Sequence, residues 1–132
     1  MKRYIFFSFC LVIIVIVLYY YGCLSKYNYF TANWDIRKGN YKIVLMDPPF
    51  YFYIDGKKIA SKYDIEFIYL PSSILINWQT KGVFIYNDYM DKAIAEKLGA
   101  EMHRKYLFEL DSVAKEGDII IRHKSPAIRD RH

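Results

Sequence analysis

The chain has 132 residues, 54% hydrophobic and 19% aromatic, with a formal charge of +5 at neutral pH. Much of that excess flanks one apolar run: with Lys2, Arg3 and Lys26 set aside, residues 28–118 carry 12 bases against 13 acids, which argues against the clustered cationic face of a nucleic-acid surface. Both cysteines, Cys10 and Cys23, lie in or at the end of the run, so the remainder has no disulfide frame and no cysteine metal site.

The run extends from Tyr4 to Ser25 without a charge. Its apolar stretch of roughly 21 residues spans about 31 Å as a helix, enough to cross bilayer hydrocarbon. A helix apolar on every face would need a burying shell that so short a chain can hardly supply, so residues 1–27 read as a membrane anchor. No small-x-small cleavage site closes the run; Tyr19, Tyr20 and Tyr21 do, with Tyr27 and Tyr29 beyond. Tyrosines at that place form an interfacial belt, which favours retention of the span over cleavage as a signal peptide.

Gly22-Cys23 resembles the end of the bacterial lipoprotein box, in which cleavage precedes an acylated cysteine. The resemblance covers four positions and implies anchoring through Cys23, but Tyr20 and Tyr21 stand where that box has an aliphatic and a small residue. Either way the domain is tethered. Lys26, Arg37, Lys38 and Lys42 after the span pull a positive-inside count toward a cytoplasmic domain, whereas a short basic start running at once into the apolar stretch has the form of a signal anchor. The expected topology is single-pass, with the domain on the extracytoplasmic side.

Residues 28–118 read as one small α+β domain, and 119–132 as a basic tail. Residues 27–39 look like a short stalk, with Trp34 starting the core. From Tyr41 a period of two sets in. Residues 41–46 form a strand stopped by Asp47-Pro48-Pro49. Residues 50–54 run into Asp55-Gly56 and out through 57–60, a strong hairpin signal because both turn residues tolerate positive φ. Residues 65–70, 73–78 and 83–86 complete an antiparallel sheet of four to six strands, with Gln79-Thr80-Lys81-Gly82 as a turn.

At Asn87, expected to act as a helix cap, the period changes to four: Met90, Ile94, Leu98, Met102, Tyr106 and Leu110. A strict spacing of four drifts around a helix of 3.6 residues per turn, so Gly99 should break it, giving one kinked helix or two, over 88–98 and 100–115. These helices should cover one sheet face. Burial is expected for Ile43, Leu45, Phe67, Ile76, Phe84, Ile94, Leu98 and Met102. The Ile119-Ile120-Ile121 run is a candidate edge strand before the tail cations Arg122, Lys124, Arg129 and Arg131.

Signals for chemistry are sparse. Asp47-Pro48-Pro49-Phe50 resembles the Asp-Pro-Pro-aromatic loop of amino-methyltransferases acting on adenine, which implies a polar side chain and a proline carbonyl holding a target amine. Those enzymes also need a glycine-rich nucleotide loop and several βαβ units, which this chain lacks, so the prolines read as turn punctuation. His103 has Leu107 at the i+4 place where a metal-binding helix would offer a second ligand. No serine sits in a glycine-flanked elbow. The expectation is no enzyme, no cofactor and no metal. The sequence points instead to an accessory or protein-binding module of unknown partner, with Tyr51, Tyr53, Tyr63 and Tyr69 as an aromatic partner surface. A lipid-reading role for Lys115 and the tail cations is a further alternative.

Overall fold

A computed structural model describes residues 2–20 and 22–124, with side chains for residues 3–20 and 22–117. In chain order, α1 (Lys2–Tyr20) is followed by α2 (Tyr29–Arg37), β1 (Lys42–Met46), α3 (Phe50–Lys62), β2 (Glu66–Leu70), a 3-10 turn (Ser72–Ile74) and α4 (Asn77–Lys124). Gly99, at φ 75° and ψ 164°, divides α4 into arms over 77–98 and 100–124. The break falls where the drifting stripe requires one, at a residue without a Cβ to resist the left-handed half of the map.

α1 is long and apolar enough to cross a membrane, and none of Arg3–Tyr20 is buried against the domain. The presumed stalk is a helix. Asn28 Oδ1 accepts from the N–H groups of Phe30 and Thr31 at 2.8 and 3.0 Å, while Thr31 Oγ1 accepts from the Asn28 N–H at 2.9 Å. This reciprocal capping box starts α2, and Gly39 at φ 73° follows its end. Trp34 is exposed rather than core, with Lys38 Nζ 4.7 Å from its ring centroid.

The expected antiparallel sheet of four to six strands is not formed. Two strands pair in parallel, Lys42 opposite Glu66 and Met46 opposite Leu70. Residues 50–60, read as a hairpin through Asp55-Gly56, belong to α3. That helix returns the chain to the start of the sheet, so the second strand must run parallel to the first. Phe52, Gly56, Ile59, Ala60 and Tyr63 repeat at helical spacing and face the core. Gly56 lets the Phe52 ring pack close to the helix backbone, where a Cβ would lie 3.0 Å from the ring. That ring stacks on Phe67 at 5.9 Å and 13°.

Residues 73–78 and 83–86, also read as strands, form the 3-10 turn and the first arm of α4. The helical stripe therefore begins before Asn87, at Val83 and Tyr86, and runs through Met90 and Ile94. Asn87 lies inside the helix and caps nothing. Burial holds for Ile43, Phe67 and Ile94, and Leu45 and Leu98 pack partly, but Ile76, Phe84 and Met102 are exposed. The second arm runs against α3: Lys62 Nζ lies 3.3 Å from Glu109, and the Tyr63 and Tyr106 rings are 5.2 Å apart. Residues 119–124 continue this helix, so the expected edge strand at Ile119-Ile120-Ile121 is absent. The rest of the basic tail lies outside the described residues.

Candidate functional site

Two regions carry what the described residues offer for function. The first is the junction between α1 and the domain. Gly22 donates its N–H to Tyr19 O at 3.1 Å and Cys23 to Leu18 O at 2.9 Å, ending the apolar helix in a turn with Gly22 at φ 65°. There the chain meets the first arm of α4 backbone to backbone. A Cβ on Gly22 would stand 2.8 Å from Gly82 Cα, and one on Gly82 would collide with Ser25 and the Tyr27 carbonyl. Ser25 and Asn28 are buried in the joint, and Asn28 Nδ2 donates to Ser25 O at 2.6 Å. Lys81 Nζ sits 5.2 Å and 4.8 Å from the centroids of Tyr19 and Tyr20. The apolar helix and the domain are thus joined by close packing rather than by a loose linker.

The second region is the outer face of α3 beside β2. Phe50, Tyr53 and Ile54 are exposed there, with Phe50 at 82%. Tyr53 lies against Tyr69 at 4.2 Å between centroids, and the Tyr69 hydroxyl donates to Tyr53 O at 3.2 Å. Burial, and then the neighbouring Tyr53, push the Tyr69 phenol upward. Glu66 donates its N–H to Tyr41 O and Leu70 O accepts from the Asp47 N–H. Backbone groups alternate along a strand, so those of Phe67 and Tyr69 point to the outer edge, where no further strand lies among the described residues.

Of the four tyrosines expected to share a partner surface, the fold brings Tyr53 and Tyr69 together. Tyr51 and Tyr63 face the second arm of α4: the Tyr51 ring abuts Gly117, and the Tyr63 hydroxyl donates to Glu109 Oε1 at 3.1 Å. Cys23 is half-buried in the turn after α1. Asp47, at φ 46°, closes β1 and accepts the Ser72 N–H on Oδ2 at 3.1 Å, so its carboxylate ties two loops together. The methyltransferase-like loop stands at the carboxyl end of a single βαβ unit. His103 is half-buried beside Tyr106, and no cluster of three potential metal ligands occurs among the described residues.

Sequence reasoning did not find the Gly22–Gly82 contact or the role of Lys81. Gln79-Thr80-Lys81-Gly82 looks like a turn, although Val83, Tyr86 and Met90 at helical spacing signal that the segment is helix. It also passed over a cleft of about 280 Å³ at the amino ends of the strands, lined by Lys42, Lys57, Ser61, Asp64 and Glu66 among others. Two of those side chains are already engaged, Lys42 3.9 Å from Asp35 and Asp64 3.0 Å from Lys97. Protein-family models, curated proteins and solved structures contain no match to this chain.

Proposed function

We propose that the protein is a membrane-anchored accessory module that docks a protein partner, with α1 retained as a single transmembrane helix and the domain on the extracytoplasmic side. The observation that carries this reading is the junction. An exposed apolar helix ends in a turn whose Gly22 seats on Gly82, and Lys81 lies over Tyr19 and Tyr20. Cleavage between Gly22 and Cys23 would remove one side of each contact, which favours retention over anchoring through a lipidated Cys23. The orientation follows the signal-anchor form of the amino terminus.

The partner surface is assigned to Phe50, Tyr53, Ile54 and Tyr69, next to the outer edge of β2. Exposed aromatics grouped around a strand edge suit a partner that adds an extended segment through main-chain hydrogen bonds and places side chains against the rings. To test it, a photo-crosslinking residue is introduced at Phe50 or Ile54 in the full chain in its native membrane. A discrete protein adduct is expected at both positions and lost when Tyr53→Ala and Tyr69→Ala are combined. Adducts that persist in the double variant, or their absence from both positions, would refute the surface. Intact mass of the purified protein addresses the anchor: a species beginning at Cys23 with acyl chains would replace the transmembrane reading by the lipoprotein one.

A further inference from the structure

The first arm of α4 carries a stripe that sits beside the end of the span. Lys81, Phe84, Ile85 and Asp88 recur at three- and four-residue spacing and so share one helix face. Together with Tyr20 and Tyr89 they line a groove of about 470 Å³. Phe84 is 61% exposed there, although it belongs to a helix whose opposite side buries Val83, Tyr86 and Met90. A large aromatic left outside the core, next to the end of an apolar span, needs a reason.

The depth of this groove follows from the anchor. A span of this length places its closing tyrosines at the headgroup layer, where their rings meet hydrocarbon and their hydroxyls meet water. Tyr20 lines the groove, and Lys81 lies over Tyr19 and Tyr20. Gly22 and Gly82 meet backbone to backbone, which sets the first arm of α4 directly against the end of α1. Phe84 is therefore held at the same depth as Tyr20. Lysine has the right form for that place, with its stem along apolar surface and its ammonium within reach of phosphate.

We propose that the groove between Tyr20 and the first arm of α4 seats a phospholipid of the surrounding bilayer, with Lys81 toward the headgroup phosphate and Phe84 and Ile85 against the upper acyl chain. The domain is then held to the membrane at two points, the span and this face of α4, and its orientation is set by both. The inference rests on α1 being a retained membrane span.

The test uses the full chain in vesicles of phosphatidylcholine and phosphatidylglycerol, with a benzophenone amino acid at position 84, at position 9 inside the span, or at position 108. Phe108 is as exposed as Phe84 but lies on the second arm of α4. After irradiation, positions 9 and 84 should each gain the mass of one phospholipid, and position 108 should not. A lipid adduct at 9 with none at 84 would leave the anchor standing and overturn the groove. Adducts at neither position would remove the anchor and the groove with it. A protein adduct at 84 in place of lipid, or a lipid adduct at 108 as strong as that at 84, would also overturn the assignment.

Discussion

The carboxamide of Asn87 makes both hydrogen bonds that Val44 would make to a neighbouring strand: the Val44 N–H donates to Oδ1 at 2.9 Å, and Nδ2 donates to the Val44 carbonyl at 2.7 Å. One helix side chain thus pairs the central backbone groups on the edge of β1 that faces away from β2, and Val44 is 1% exposed. At Val44 the sheet needs no third strand on that side.

Asn87→Ala should therefore cost more than an average helix substitution. Alanine is the better helix former, by a few tenths of a kcal/mol, but it leaves a buried donor and a buried acceptor unpaired, at about 1–3 kcal/mol apiece. A net loss of about 2–5 kcal/mol is expected on that balance, read from denaturation of the purified full chain. Asn87→Asp keeps the acceptor and turns a negative oxygen toward the Val44 carbonyl, so it should not rescue. A loss below the uncertainty of the measurement would show that water replaces the amide.

Tyr86 is fully buried, and its hydroxyl donates to Asp35 Oδ2 at 2.7 Å. Burial, followed by that hydrogen bond and the charge of Asp35, pushes the phenol far above its ordinary range, so it stays protonated throughout the stable pH range. Tyr86→Phe keeps the ring and its 5.3 Å contact with Tyr27 but deprives Asp35 of a donor. A loss of about 1.5–3 kcal/mol is expected for a bond to a charged acceptor. Removing Asp35 as well, in Asp35→Asn with Tyr86→Phe, should cost less than the sum of the single losses.

Gly82 lies in a helix, where glycine to alanine ordinarily stabilises by up to about 1 kcal/mol. At this position the added methyl would run into Ser25 and the Tyr27 carbonyl. Gly82→Ala should therefore lower the melting temperature rather than raise it, and expose the junction to protease near residues 22–28. A rise in melting temperature would show that the two backbones do not meet as described.

Asp91 supplies a dependence on pH. Desolvation by the surrounding chain, and then the charge of Asp88, raise its carboxyl above the ordinary value of 3.8, while His103 opposes the rise. With the folded pKa raised, the native state binds the proton more tightly than the unfolded chain. The resulting stability is present below the unfolded value and is lost as pH rises through the folded one. Asp91→Asn should thus stabilise the protein at neutral pH, and the gain over wild type should shrink as pH falls through the window above 3.8. A gain that is the same at pH 3 and pH 7 would mean that Asp91 titrates as it does in the unfolded chain.

The sequence by itself determined the long apolar helix, both real strands and the break at Gly99. Each of these rests on a one-dimensional property: charge-free length for α1, β-branched content between breakers for residues 42–46 and 66–70, and the drift of a four-residue stripe for α4. It did not determine residues 50–60 or 73–86. In Phe50-Tyr51-Phe52-Tyr53-Ile54 every position is large and apolar or aromatic, so periods of 2 and 3.6 fit equally well and local propensity favours a strand.

Only tertiary structure decided between those periods. As a helix, α3 places Phe52 on Phe67 and Ile59 and Ala60 in the core, and it brings β2 alongside β1. Asn87 shows the same thing at one residue: as a helix cap it would have begun a stripe at Met90, whereas inside the helix it supplies the missing neighbour of Val44. The junction was hidden for a related reason. Glycine in a sequence signals a turn or a close approach with the same letter, and what Gly82 approaches, the turn at Gly22 and Ser25, lies more than fifty residues away in the chain.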